Sequence, residues 1–216
     1  MLPPVILITG CQKYIKYLHA AIRRMDMFQK ECEIIGIVGD PTCFVATLDP
    51  ATKILTLPVS DTYEDLPKKI HAAMSWIFHE RPNISGIFKT DDDIVFGPAP
   101  DQNLLQLIYK YARTPYWGVA VGSCTAAPIT PQRILARFSD TTLTPSHQTA
   151  VYSFGWGYWV SKKALPLIVA ASDDYASSFL EDVCTGFVLN RAGIVPERIR
   201  PLFKEFPRGQ ELLDAK

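Results

Sequence analysis

Three consecutive carboxylates, Asp91, Asp92 and Asp93, lie between the apolar segments Ile84–Phe88 and Ile94–Phe96. Like charges at that range either raise one another's pKa or call for a cation. A hard divalent ion bound through oxygen answers the repulsion. Mg2+ and Mn2+ take one or two protein carboxylates and leave their other positions to water and substrate phosphates. A metal held this way can act as a Lewis acid on a departing diphosphate. A solvated acidic turn or a set of helix caps is the alternative, but the apolar flanks pin the cluster to a buried strand end and favour the metal. A second acidic group, the pair Glu181-Asp182, precedes Val183, Phe187 and Val188, a pattern that suits a helix buried on one side. Acids in a first helical turn are favoured by the dipole and the orphan N–H groups, which makes capping one account of them. A general base, which has only to be ionised beside an acceptor hydroxyl, is the other. Between the triplet and the pair, the run from Tyr152 to Ser161 alternates large and small residues. Read as one strand, it puts Tyr152, Phe154, Trp156 and Tyr158 on one face and Ser153, Gly155 and Gly157 on the other. Strand glycines let a ligand approach the backbone. The aromatic face either packs on the CH surface of a sugar or is core; Trp156 is the candidate sugar contact, and Phe154 reads as core.

The elements that must position these residues alternate. Strands are expected at Val5–Thr9, Ile34–Val38, Ile54–Val59, Ile84–Phe88, Trp117–Val121 and Val151–Val160. Helices are expected at Tyr14–Arg24, from Leu66 through Ile70, Ala73, Met74 and Ile77, at Leu104–Tyr111, at Leu165–Ala170 and at Val183–Ile194. Such alternation predicts an α/β domain with a largely parallel sheet. Ligands of these sheets sit beyond the carboxyl ends of the strands. That rule selects Thr9, Gly10 and Cys11, then Asp40, then whatever follows Phe88. Gly10 equally serves an ordinary strand-to-helix turn, and Asp40 a turn before Pro41. Lys13 and Lys89 are weaker candidates, since a lone lysine is usually solvated.

Composition narrows the class. The 216 residues carry 22 basic and 22 acidic side chains, so the net charge is zero. Nucleic acid is not an expected partner, because binding it requires a basic surface. Five cysteines at wide spacing form no C-x-x-C pair. Neither a structural zinc site nor a disulfide framework is expected, and a reducing compartment is the simpler reading. The opening Met1-Leu2-Pro3-Pro4 leads straight into Val5 with no basic segment and no long apolar stretch. The expectation is a soluble, cytoplasmic protein without a membrane span, or an excised domain of a larger one.

Four blocks, in order, carry a resemblance. They are Asp61-Thr62-Tyr63-Glu64-Asp65-Leu66 with Lys69 and Trp76; Lys89-Thr90-Asp91-Asp92-Asp93; Tyr152-Ser153-Phe154-Gly155-Trp156-Gly157-Tyr158-Trp159-Val160-Ser161; and Glu181-Asp182-Val183-Cys184-Thr185-Gly186. Together they resemble the β1,3-galactosyltransferase-like (fringe-like) family of inverting glycosyltransferases with the GT-A fold: the first and third are similar to its D-x-Y-x-N-L-T-x-K and Y-x-x-G-x-G-Y-x-x-S segments, and the second and fourth match its K-T-D-D-D and E-D-V-x-x-G segments. The resemblance implies one Rossmann-like GT-A domain over residues 1–216, a mixed, mostly parallel sheet flanked by helices. Its nucleotide-binding part would be about 1–96 and its acceptor-binding part about 97–216. It implies transfer of a sugar from a UDP-sugar to a hydroxyl of a glycan or glycoprotein, with Mn2+ or Mg2+ and with inversion. Asp93 would be the main metal ligand, with Asp91 and Asp92 supporting the metal and the ribose. Asp182 would be the general base and Glu181 would help place the acceptor. Lys69 would lie near the nucleotide or support its pocket, where Thr9, Gly10, Asp40, Trp156 and Gly157 are further candidate contacts.

The pattern is departed from at Asp65 and Pro67, where the family has Asn and Thr. The family also commonly supplies a metal-binding histidine after its E-D-V helix. Here the histidines are His19, His71, His79 and His147, and none follows residue 182. Two other readings compete. A sugar-nucleotide pyrophosphorylase would carry a longer, glycine-rich and basic loop than Gly10-Cys11-Gln12-Lys13. A non-catalytic nucleotide- or glycan-binding module would have no need of both the acidic triplet and Asp182.

Overall fold

A computed structural model describes residues 2–97, 103–124, 150–199 and 203–215; His147 lies outside them. In chain order the strands are β1 (Val5–Thr9), β2 (Glu33–Gly39), β3 (Thr47–Asp49), β4 (Ile54–Leu57), β5 (Gly86–Asp91), β6 (Ile94–Phe96), β7 (Tyr116–Gly118), β8 (Val121–Cys124), β9 (Ala150–Ser153), β10 (Gly157–Ser161), β11 (Glu197–Arg198) and β12 (Phe203–Glu205). The helices are α1 (Ile15–Met25), α2 (Leu66–Glu80), α3 (Leu104–Lys110), α4 (Leu165–Val169), α5 (Ser172–Ala176), α6 (Glu181–Asn190) and α7 (Gln210–Asp214).

All five residues of β1 are buried, as its unbroken apolar run requires of a strand covered on both faces. It lies at the heart of an eight-stranded sheet of order β11-β7-β10-β5-β1-β2-β4-β3. The centre, β5-β1-β2-β4, is parallel. Beyond it β10 runs antiparallel between β5 and β7, and β3 is an antiparallel edge. The mixed, mostly parallel α/β sheet expected from the sequence is therefore present. Strands from both halves of the chain share it.

Helices cover the two faces. Val5 and Leu7 pack with Ile70, Met74 and Ile77 of α2 and with Leu165, Ile168, Val188 and Leu189 of the later helices. Ile6 and Ile8, one residue out of step, pack with Leu18, Ile22 and Met25 of α1, Leu105 and Ile108 of α3, and Phe88, Trp117 and Trp159. The period-two alternation of β1 thus feeds two separate cores. Among the described residues no helix is long and apolar enough to cross a membrane.

Three expectations are corrected. The run Val151–Val160 is two strands in different sheets, because the chain turns at Phe154-Gly155-Trp156, where the Gly157 N–H returns to the Phe154 carbonyl at 3.3 Å. Tyr158 therefore does not continue the face that bears Tyr152. The last long helix starts two residues earlier than expected and stops at Asn190, and Gly193 takes a left-handed φ of 73° just beyond it. The strand read as Ile84–Phe88 is β5, running to Asp91, so the first acid of the triplet is itself a strand residue. β3, β6, β11 and β12 have at most three residues each, too few to show a period.

Candidate active site

The parallel register of β1 and β5 sets Thr9 beside Asp91 at the carboxyl edge of the sheet. Asp92 and Asp93 form the turn into β6. That turn is fixed by its own backbone: the Asp92 N–H donates to the Thr9 carbonyl at 3.1 Å, and the Asp93 carbonyl accepts from the Phe206 N–H at 2.9 Å. The end of the strand and this turn then separate the three acids. The Asp92 side chain is 0% exposed and accepts from Arg208 Nη2 at 2.7 Å through Oδ1, while its Oδ2 has no partner among the described residues. Asp91 and Asp93 remain part exposed. Burial, then the charges of Asp91 and Asp92, push the Asp93 carboxyl up to about 6. The role expected for Asp92 at a ribose is thus corrected to an inward ion pair with Arg208.

Lys89, expected to be solvated, is 1% exposed. Its ammonium donates to Asp91 Oδ1 at 2.7 Å, Glu181 Oε1 at 2.7 Å and the Gly155 carbonyl at 2.9 Å. Burial opposes its charge, but Asp91 and Glu181 outweigh burial and hold the ammonium above its ordinary range. Glu181 is buried too, and its second oxygen accepts from the Tyr158 hydroxyl at 2.7 Å. Both of its oxygens are occupied from within. Its expected contact with an acceptor is replaced by a supporting position that links α6 to β5 and β10. Lys89 and Asp91 stand two apart on a strand and so share a face. That spacing, in a strand covered on both sides, is the sequence signal that could have found the pairing. Removing one partner from a buried ion pair leaves an uncompensated charge. Lys89→Met is therefore expected to destabilise the fold by about 3–5 kcal/mol, read from the midpoint of urea unfolding.

Asp182, in the first turn of α6, is half-buried. Its Oδ2 accepts from the Gly155 N–H at 3.1 Å and its Oδ1 from the Val183 N–H at 2.8 Å. Burial first, then the neighbouring Glu181 charge, raises its carboxyl to about 7, with Lys89 pulling the other way. Close approach explains the glycine at residue 155. A Cβ on Gly155 would stand 3.0 Å from Glu181 Oε1 and 3.1 Å from Lys89 Nζ. One expectation for the glycines is corrected: Gly157 is buried and its missing Cβ makes room for the Phe88 ring, at 2.8 Å, rather than for a ligand.

The remaining candidates divide. Thr9 is buried at the sheet edge, and its hydroxyl has no partner among the described residues. The Gly10 carbonyl accepts from Lys69 at 2.7 Å, and Lys69 also pairs with Asp61 Oδ1 at 2.7 Å. Asp61 in turn accepts from the Gly39 N–H at 2.8 Å. Lys69 is thus a buried clamp holding the ends of β1 and β2 together. Asp40 closes a turn on Thr42, whose hydroxyl and N–H hold its carboxyl below the usual range. Trp156 is half-buried, its carbonyl held by the Thr90 hydroxyl at 2.8 Å. Its ring stacks on Phe154 at 5.3 Å and lies 5.8 Å from Phe203. Phe154 continues the row to Tyr152 at 5.3 Å. Three of the four rings assigned to one face do adjoin, although the strand carrying them is broken.

Among the described residues no three His, Cys, Asp or Glu side chains gather as a metal cluster. The acidic turn nevertheless offers two carboxylates, Asp91 and Asp93, both accessible and mutually repelling. That donor set fits Mg2+ or Mn2+, which complete their shells with water and phosphate oxygens. Where a histidine was looked for after residue 182, the chain instead brings Arg208 to the acidic turn, 3.9 Å from Asp93 Oδ2.

The protein is a glycosyltransferase. It belongs to the Galactosyltransferase family, whose model matches residues 52–200, the greater part of the chain and all four sequence blocks. A search of curated proteins found no match. Solved structures similar to it include a glycosyltransferase involved in the glycosylation of the major capsid of PBCV-1, with 10% identity and a TM-score of 0.44 over 79% of this chain and 66% of that one. Another is the galactosyltransferase LgtC in complex with donor and acceptor sugar analogues, with 13% identity and a TM-score of 0.45 over 89% of this chain and 72% of that one.

Proposed function

We propose that the protein moves a sugar from a UDP-sugar to a hydroxyl of a glycan or glycoprotein acceptor, with a divalent cation and with inversion at the anomeric carbon. The observation that carries this reading is the split of the acidic triplet. Two carboxylates, Asp91 and Asp93, stay accessible at the ligand edge of the sheet, and Lys89 ties the first of them to the helix that bears Asp182. Asp93 and Asp91 hold Mn2+ or Mg2+, which when bound supplies positive charge to the leaving diphosphate.

Asp182 takes the proton of the acceptor hydroxyl. The hydroxyl oxygen forms its bond to the anomeric carbon as the bond from that carbon to the diphosphate oxygen breaks, and UDP leaves with the electron pair. Asp182 then returns the proton to solvent. A base near pH 7 is well matched to work at neutral pH. Attack opposite the leaving group inverts the anomeric centre. Lys89 and Glu181 orient Asp91 and α6, Lys69 keeps the nucleotide edge in shape, and Trp156 offers a ring face to a sugar. The free thiols of Cys11, Cys32, Cys43 and Cys184 suit a reducing compartment such as the cytoplasm.

The test is a panel of UDP-sugars incubated with glycan acceptors in Mn2+ or EDTA, with UDP release and product anomer measured. Metal-dependent UDP release that requires an acceptor, with a product of opposite anomeric configuration to the donor, is expected. UDP binding without turnover across the panel would reassign the chain to a binding module, and retained configuration would overturn the role of Asp182.

A further inference from the structure

The reaction as proposed gives no part to a charged group beside the acidic turn. After β12 pairs with β6, the chain returns across the acidic turn and presents Arg208. Its placement is built by the fold. Arg24 of α1 donates through Nη1 to the Leu212 carbonyl and through Nη2 to the Asp92 carbonyl, both at 3.0 Å. Leu212 itself is fully buried. One guanidinium therefore staples the C-terminal segment to the turn.

The Arg208 guanidinium lies 4.8 Å from the centroid of the Tyr14 ring, and its Nη2 is 2.7 Å from Asp92 Oδ1 and 3.9 Å from Asp93 Oδ2. The pair is lopsided. Asp92 is fully buried, whereas the Arg208 side chain is 37% exposed. An arginine has five N–H donors in a planar fork, and among the described residues this one hydrogen-bonds to Asp92. The same Nη2 lies 3.9 Å from Asp93 Oδ2, beside the edge of the sheet where Thr9 and Asp91 are in register.

A diphosphate arriving there meets two carboxylates, Asp91 and Asp93, and a single metal offsets only part of that negative charge. We infer that Arg208 binds the diphosphate of the donor as a cation supplied by the protein beside the metal position, and that Asp92 is its anchor. Arginine suits this, since its fork matches phosphate oxygens in pairs, and stacking on Tyr14 fixes the plane of the fork. The inference rests on the reading of this site as one for a UDP-sugar.

Arg208→Gln alone would leave Asp92 buried and unpaired, so the informative comparison is between Asp92→Asn and the double variant Asp92→Asn/Arg208→Gln, in which no charge is stranded. Affinities for UDP and for uridine are measured calorimetrically in Mn2+ for wild type and both variants, with folding checked by circular dichroism. Wild type and Asp92→Asn are expected to prefer UDP strongly over uridine. The double variant is expected to lose about tenfold or more in UDP affinity, the weight of one charge-assisted hydrogen bond, with uridine binding unchanged. Arg208→Lys on the Asp92→Asn background should recover part of the loss, as a point charge without the fork. A double variant that binds UDP as well as Asp92→Asn does would show that Arg208 merely neutralises Asp92, and would leave the glycosyltransferase reading intact. A wild type with no preference for UDP over uridine would overturn the diphosphate site as a whole, this inference included.

Discussion

Replacing Asp182 with asparagine is expected to lower turnover by about 10²–10⁴-fold, the range of a positioned general base, while donor binding persists. Asparagine is nearly isosteric and its carbonyl oxygen can accept from one of the two N–H groups, of Gly155 and Val183, that Asp182 now engages. The loss should therefore appear in kcat and not in UDP affinity. The same carboxyl sets the pH profile. Held up to about 7, it is a base only once ionised, so wild-type activity should rise across pH 6–8 and the variant's residual activity should lose that limb. Stability should move the other way. The ordinary value of an unfolded Asp is about 3.9. Between there and about 7 the folded state binds the proton that the unfolded state releases, so this group erodes stability as pH rises through that window. At pH 8 Asp182→Asn should melt no lower than wild type, and above it if nothing else changes. Near pH 4 the two should melt alike. A variant that both loses activity and melts markedly lower at pH 8 would mark Asp182 as structural.

The second large effect is expected at Asp93. Changing residues that merely support metal ligands costs about 10–100-fold in affinity. Asp93→Ala removes one of the two proposed direct ligands and should cost about 100-fold or more in Mn2+ affinity. Metal titrations followed by Mn2+ electron resonance report this without any substrate. The fold should not suffer. Burial and the charges of Asp91 and Asp92 already hold the Asp93 carboxyl near 6, so above that pH its charge opposes folding. Asp93 and Asp182 are thus both acids whose environments resist ionisation, a common property of groups kept for chemistry.

Much of this site was legible in the sequence because its parts are local. The triplet at a strand end and the pair at a helix start are read from a few neighbouring residues, and the sheet's parallel centre from unbroken apolar runs. Long-range partnerships were not legible. Lys89 meets Glu181 from 92 residues away, and Asp92 meets Arg208 from 116. No periodicity encodes either, yet they decide that Glu181 and Asp92 face inward while Asp91 and Asp93 do not. The break of the aromatic run at Gly155 was hidden for a related reason. A strict large–small alternation looks like one strand, and the tight approach of Glu181 and Lys89 to Gly155 is a long-range contact that alternation does not encode. Lys69 was recognised by its block, but its function as a clamp depends on Asp61 and the Gly10 carbonyl.

The central claim is a metal-dependent site for the diphosphate of UDP at Asp91 and Asp93. Its most direct test is the melting temperature of wild type and Asp93→Ala with UDP, in Mn2+ and in EDTA. A ligand at a hundredfold excess over its dissociation constant stabilises the folded state by about 2.7 kcal/mol, which for a chain of this length is a rise of roughly 5–10 °C. The account predicts that rise for the wild type only when Mn2+ is present, and none for Asp93→Ala. A folded wild type whose melting temperature does not respond to UDP and Mn2+ would contradict it.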